Sequence, residues 1–186
     1  MTENKLLPPL IWLDLEMTGL DPDSERIIEI ATVVTNADLE EIKEGPNLVI
    51  KQPQEYIEGM DEWNLNQHTN SGLIESIKAT QISVDEAENQ TLEFLRKYTK
   101  KGKSPLCGNT ISHDRRFLVR YMPELADYFH YRNVDVSSIK ELVKRWRPEL
   151  VQGIDKNGNH RALADVYESI KELKFYKENL FNRFEV

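Results

Sequence analysis

Leu10-Ile11-Trp12-Leu13-Asp14-Leu15-Glu16-Met17-Thr18-Gly19-Leu20 is the stretch from which the fold is read. Its unbroken apolar run up to Asp14 is the pattern of a strand buried on both faces, so Asp14 and Glu16 sit at its C-terminal end, beside the core. Side chains alternate along a strand, and the two acids therefore point the same way. Carboxylates a few ångströms apart in a poorly solvated place repel, and one must take up a proton unless a cation lies between them. All-oxygen ligation suits Mg²⁺ or Mn²⁺. An acid-x-acid pair alone is cheap: with 32 acids in 186 residues, chance supplies about five. What distinguishes this pair is its position after a hydrophobic strand and before a Thr-Gly turn.

A length of 186 residues suits one domain with a core of its own. The single Cys107 cannot form an internal bridge, which points to a reducing cytosol. Met1-Thr2-Glu3-Asn4-Lys5 leads into few apolar residues before Pro8-Pro9, unlike a signal peptide or a membrane span, so no membrane partner is expected. Mean hydropathy of -0.58 and 30% charged residues fit a soluble protein. A net charge of -8 argues against a long nucleic acid gripped by a basic face, because such affinity comes from neutralising many phosphates. A short nucleic acid held by local cations and metals is compatible with it. So is an acidic surface that only keeps the chain in solution.

Outward from the first strand, Arg26 to Val34 is rich in β-branched residues and predicts a second strand. Asn36-Ala37-Asp38 predicts a turn into a third strand, near Leu39–Ile42 and on through Leu48–Ile50, giving an antiparallel meander. Ser83-Val84-Asp85-Glu86 reads as a capping box opening a helix with Ala87, Leu92 and Leu95 inward. Short strands are expected at Pro105–Gly108 and Asn133–Val136. Helices are expected from Ile111 to Met122, from Ser138 to Arg145 capped by Ser137, and from near Arg161. A meander followed by alternating strands and helices is a mixed-sheet α/β domain.

A site for two divalent ions wants about four carboxylates from converging elements. Asp114, early in the helix after the Cys107 strand, and Asp165, in the last helix, are the further candidates. On a helix each is ordinarily a solvated surface acid. A general base is also needed, and histidine titrates in the right range. His160 precedes Asp165 by five residues, and His130 precedes Asp135 by the same interval. If Tyr131–Val136 is extended, that interval spans roughly 16 Å, too far for one site. Where a loop turns into a helix it advances only about 7 Å, which favours His160 with Asp165 and leaves His130 a structural role.

Asp14-x-Glu16, Asp114 in Asn-Thr-x-x-x-Asp, and His160-x-x-x-x-Asp165 together resemble the three motifs of the DEDDh exonuclease superfamily. Its tyrosine branch would carry Tyr-x-x-x-Asp at the third motif. Within the superfamily the chain is most similar to the oligoribonuclease family, over nearly its whole length. Glu62-Trp63-Asn64, His68-Thr69-Asn70-Ser71-Gly72-Leu73, Asp114-Arg115-Arg116-Phe117-Leu118 and His130-Tyr131-Arg132 carry that resemblance beyond the catalytic positions. Thr110 stands where the family has a serine, keeping the hydroxyl, and Arg132-Asn133-Val134 differs in side chain.

The resemblance implies a ribonuclease H-like mixed sheet in one exonuclease domain, with a core over about residues 8–177 and short flexible ends. It implies a cytoplasmic 3′→5′ exoribonuclease that cuts very short single-stranded RNA, dinucleotides especially, to nucleoside 5′-monophosphates. Linear pGpG, the dinucleotide left by cyclic-di-GMP breakdown, is among the implied substrates. Asp14, Glu16, Asp114 and Asp165 would hold two Mg²⁺ or Mn²⁺, with His160 as base. Leu20 would wedge between the bases, Trp63 would stack on one, and His68 would lie near the 3′ end. Thr110, Arg132 and Ser137 would cap the 5′-phosphate, with Tyr131 reaching in from a second subunit of a homodimer. Apart from the family, Leu20 would be read as capping the sheet and Trp63 as core. Three other readings stay open: a DEDDh exonuclease of RNase T or proofreading type acting on longer chains, a non-catalytic RNA-binding module, and a haloacid-dehalogenase phosphatase. The last begins with Asp-x-Asp-x-Thr, close to Asp14–Thr18, but Glu16 replaces its second Asp and its downstream Lys is not evident.

Overall fold

A computed structural model of the chain describes residues 7–153 and 161–181. Strands β1 (Leu10–Met17), β2 (Ile27–Thr35), β3 (Ile42–Val49), β4 (Leu106–Gly108) and β5 (Asn133–Asp135) form one sheet in the order β3-β2-β1-β4-β5. β1 and β3 run antiparallel to β2, the expected meander, whereas β4 is parallel to β1 and β5 to β4. At Gly108 a Cβ would stand 2.9 Å from the Leu13 carbonyl oxygen, so glycine lets β4 lie close to the strand that carries the acids.

Helices follow the third strand: α1 (Gln54–Glu58), α2 (Glu62–Asn70), α3 (Leu73–Ala79), α4 (Val84–Tyr98), α5 (Ile111–Tyr121), α6 (Pro123–Ala126), α7 (Val136–Trp146) and α8 (Ala162–Tyr176). A 3₁₀ helix spans Pro148–Gly153, and α8 runs on into a π-helical turn over Lys177–Phe181. None of the described helices is long and apolar enough to cross a membrane.

Strand alternation divides the core in two. Ile11, Leu13 and Leu15 point to one face, packed with Leu92 and Leu95 of α4 and Phe117 and Leu118 of α5. Trp12 points to the other, packed with Val143 of α7 and Val166 and Ile170 of α8. Asp14 and Glu16 share the Trp12 face, and so look towards α8. A smaller cluster of Ile28, Ile57, Leu73 and Ile77 seats α1 and α3 on β2.

Three details differ from the sequence reading. Ser137 does not cap α7. The cap is Asp135, whose carboxylate accepts from the Ser137 and Ser138 N–H groups, so the helix starts at Val136. At α4 the box is half formed: Ser83 Oγ accepts from Glu86 N at 3.1 Å, while the Glu86 carboxylate takes Gln90 Nε2. Helices α1 to α3 have no counterpart in the apolar periodicity. α2 buries Asn64 and His68 rather than an apolar stripe, which removes the signal.

A buried ion pair anchors the start of α8. Glu29 of β2 has a wholly buried side chain and takes Arg161 Nε at 3.0 Å and Nη2 at 2.7 Å on Oε1. Its Oε2 also takes the backbone N–H of Ala162 at 3.0 Å, at the first turn of the helix. Removing one partner of such a pair leaves an uncompensated buried charge. Arg161→Met is therefore expected to lower unfolding free energy by about 3 kcal/mol or more, and Glu29→Leu with Arg161→Met to recover most of it. Urea unfolding of the variants checks this; equal losses in the single and double variants would contradict it.

Candidate active site

β1 delivers Asp14 and Glu16 to the Trp12 face, and a bulge between Glu16 and Met17 ends the regular ladder there: Glu16 faces Glu29, but Met17 faces Ile27. Bulges re-aim a strand where pairing must stop. The chain then turns through a loop closed at its base, with Thr18 N donating to Arg26 O at 2.9 Å and Arg26 N to Thr18 Oγ1 at 2.9 Å. The Arg26 guanidinium lies 3.9 Å over the Tyr56 ring and donates to Tyr121 OH at 2.7 Å, bracing the loop from outside. Leu20 sits on this loop, 74% exposed.

Asp165, in the first turn of α8, completes a triad with Asp14 and Glu16, whose ligand oxygens lie within 4.8 Å of one another. Asp114, buried on α5, lies alongside: its Oδ1 accepts the Leu15 N–H at 3.0 Å, between the two strand acids. The structure thus brings the four acids together, with Asp114 tied to the backbone of β1 rather than within the triad. His160 lies outside the described residues. His68 Nδ1 is 3.9 Å from Glu16 Oε2, and its Nε2 lies 3.0 Å from the Met17 carbonyl, which fixes the ring on the site from α2.

Electrostatics follow from crowding. Burial first, then the charges of Asp114, Glu16, Asp165 and Glu29, push the Asp14 carboxyl well above its ordinary range. Glu16 is pushed up to about 8 by burial and then by Asp165, Glu29 and Asp114, with Arg161 pulling the other way. Burial lifts Asp114 to about 7 against the hydrogen bond from Leu15. Acids that resist ionisation at neutral pH, offering only oxygens, are the donor set of a hard divalent cation. The cluster fits such a cation by its chemistry.

The remaining predicted residues fall into two groups. Trp63 is 62% exposed on the first turn of α2, the helix that brings His68 to Glu16, and this exposure removes the core reading. Thr110, before α5, holds a left-handed backbone at φ 52°, an uncommon choice for a β-branched residue and one that clusters at functional sites. Its N–H donates to Asp135 Oδ1 at 3.1 Å and its hydroxyl lies 3.1 Å from Ser137 Oγ. Arg132 and Tyr131 are exposed just before β5, with the guanidinium 5.2 Å from the Tyr131 ring centre. His130 builds this turn: its ring stacks on Tyr131 at 4.3 Å and its Nδ1 accepts Arg132 N–H at 3.1 Å.

Sequence reasoning missed Glu29 and Arg161. The one signal for Glu29 was an acid inside the run Ile27-Ile28-Glu29-Ile30, which a buried strand tolerates only with a partner. Nothing along the chain tied that acid to Arg161.

Comparison with known proteins identifies the family and the fold. Residues 11–173 match the RNase T exonuclease family. Exonuclease I of E. coli in complex with a dT13 oligonucleotide superposes with a TM-score of 0.70 at 18% identity, over 94% of this chain and 43% of that one. The zinc-bound exonuclease I–ssDNA complex gives 0.72 at 17%, over 95% and 42%. The chain thus spans about two fifths of these solved structures, which share the ribonuclease H-like exonuclease fold. Among sequences, oligoribonuclease of Bordetella pertussis is 58% identical over 171 residues, 92% of this chain and 94% of that protein. Oligoribonuclease of Idiomarina loihiensis is 52% identical over 183 residues, 98% and 100% of the two chains. The matched family and the fold are those of an exonuclease, a phosphodiester hydrolase. The chain belongs to the oligoribonuclease family, 3′→5′ exoribonucleases within that class.

The carboxylate crowding gives a pH signature to the metal-free protein. In the unfolded chain Asp and Glu ionise near pH 4, whereas folded Glu16 keeps its proton up to about 8. Between these values the folded state binds more protons than the unfolded state, so stability falls as pH rises. The melting temperature in EDTA is expected to drop from pH 5 to pH 8, and Mn²⁺ to flatten the slope. Asp14→Asn, which removes one charge, is expected to raise the EDTA melting temperature at pH 8. A slope in EDTA that Mn²⁺ leaves untouched would contradict the metal assignment.

Proposed function

We propose that the protein is a cytoplasmic exoribonuclease for very short single-stranded RNA, preferring 5′-phosphorylated dinucleotides, linear pGpG among them, and releasing nucleoside 5′-monophosphates. The observation that carries this reading is the convergence of Asp14, Glu16 and Asp165 within 4.8 Å, with Asp114 against β1. Those four acids would hold two Mg²⁺ or Mn²⁺. When bound, such a pair supplies an activated water and neutralises the charge that develops on the departing 3′-oxygen. His160 takes the proton of the attacking water, Leu20 separates the two bases, and Trp63 stacks on one. Stacking accepts any base, so little sequence preference is expected. His68 lies at the 3′ end. Thr110, Arg132 and Ser137 meet the 5′-phosphate, and Tyr131 closes that end from the partner subunit of a homodimer. Each chain forms one exonuclease domain, which lends its own Tyr131 to the partner's site.

A reading for longer substrates draws on a basic cleft beside the Leu20 loop. Arg115, Arg116 and Arg120 of α5 line a cleft of about 550 Å³ with Pro22 of the Leu20 loop, a local basic face that the net charge of -8 conceals. Arg115 Nη2 is held by the His130 carbonyl at 2.8 Å and Arg120 Nε lies 3.9 Å from Asp23, so part of that charge is already engaged.

Single-turnover initial rates on 5′-phosphorylated RNA of two to twenty nucleotides separate the two. A closed end predicts at least about tenfold preference for the dinucleotide, the size of one hydrogen bond to a charged group, and Arg132→Ala is expected to erase the advantage of a 5′-phosphate. A flat profile from two to seven nucleotides would leave a general short-RNA exonuclease. Asp14→Asn is expected to abolish turnover. His160→Ala is expected to cost about 10²- to 10⁴-fold with metal affinity retained, the usual contribution of a general base.

A further inference from the structure

At the other end of β1 from the acids, the residues that lead into the strand and the end of α4 enclose a cleft of about 420 Å³. From Leu10 to Glu16 is roughly 20 Å of extended strand, so a ligand in this cleft meets none of the groups that cut. Its charge is opposite to that of the chain. Five of the eight residues from Arg96 to Lys103 are Lys or Arg and none is an acid, against a net charge of -8 overall. Cations suit the negative end of a helix, which accounts for Arg96 and Lys97 in the last turn of α4. Lys100 and Lys103 lie beyond the helix and gain nothing from it. Lys101 pairs with Asp127 at 2.6 Å, whereas Arg96, Lys97, Lys100 and Lys103 make no ion pair among the described residues, and all four line the cleft.

The backbone holds these like charges together. Lys103 N donates to Lys100 O at 3.2 Å, closing a turn in which Gly102 takes φ 73° and donates its N–H to Tyr128 O at 2.8 Å. Thr99 fixes the start of the turn, its hydroxyl donating to Leu95 O at 2.8 Å. A second observation is independent of charge. Ser104, next along the chain and also lining the cleft, is 1% exposed, and its Oγ has no hydrogen-bond partner. A buried hydroxyl left unpaired costs stability, which a ligand oxygen would restore. The opposite wall is apolar, made by Pro8 and Pro9, with the Tyr98 ring 44% exposed among the cations and 5.2 Å from the Phe94 ring.

We propose that this cleft binds a nucleoside di- or triphosphate. Arg96, Lys97, Lys100 and Lys103 meet the phosphate chain, the Ser104 hydroxyl turns to donate to it, and the base lies on Tyr98. Four cations match the charge of two or three phosphates better than that of one, and the volume takes one nucleotide rather than a strand.

Titration of ATP into the full chain in EDTA tests this. Saturable binding of one ATP per chain at this cleft is expected. Lys100→Ala with Lys103→Ala is expected to lower the affinity at least about tenfold, and Ser104→Ala several-fold with no loss of melting temperature. Both variants are expected to keep dinucleotide turnover in Mn²⁺ within about twofold, because the cleft lies away from the acids. Arg132→Ala, at the other proposed phosphate contact, is expected to leave ATP affinity unchanged. AMP and inorganic tripolyphosphate, each lacking one half of the ligand, are expected to bind more weakly than ATP. Unchanged affinity in either cleft variant overturns the site, as does an equal loss in Arg132→Ala. Tripolyphosphate binding as tightly as ATP overturns the nucleoside part. A twenty-nucleotide RNA that displaces ATP at lower concentration than ATP itself would make this a strand-binding face and overturn the assignment.

Discussion

Repulsion among carboxylates held out of water is the constraint around which this molecule is arranged. Asp14, Glu16 and Asp165 share a space in which their oxygens stand within 4.8 Å, with Asp114 close behind. Charges so placed cannot all ionise without a cation, and burial raises the cost of each further one. Nothing in the packing gains from four acids there, since an apolar strand end would be the more stable choice for the empty fold. Stability is given up locally, and the surrounding structure makes up for it.

α8 is where that compensation is concentrated. Its start is held by the Glu29–Arg161 pair and the Ala162 N–H, which fix the first turn from which Asp165 projects. Further along the helix, Ser169 and Glu172 are buried and take the Asn109 side-chain amide, and Tyr176, one turn on, donates its hydroxyl to Glu172. One helix therefore sets both the acidic centre and the hydroxyl pair beside α5, and a shift along its axis would disturb both. The Trp12 face on which it lies is the face that strand alternation assigns to the acids.

The competing chemistries part from this arrangement on specific points. A phosphatase of the haloacid-dehalogenase type opens with Asp-x-Asp-x-Thr, whereas Glu16 stands at the second acid here and Asp14 is crowded by Asp114, Glu16 and Asp165. A binding module that only holds RNA has no use for acids that repel phosphates. The matched exonuclease family covers residues 11–173, which leaves neither alternative a segment of its own.

The sheet was legible along the chain because its signals are local. An apolar run ending in two acids, a β-branched run and a polar turn specify the meander, and period-two alternation puts Asp14 and Glu16 on one side. The motifs likewise named Asp114 and Asp165, since each carries its spacing within a few residues. Other features were invisible because they join residues far apart in sequence. Glu29 meets Arg161 across 132 positions, and Asn109 meets Glu172 across 63. α2 hid because its inward side is polar, and the cap of α7 is Asp135, which also accepts the Thr110 N–H across 25 positions. The sequence by itself determined which residue types stand at the end of which strand. Only the tertiary structure decided how their charges and hydrogen-bond directions are oriented, because a carboxylate, an amide or a hydroxyl takes its role from the partner that packing brings to it.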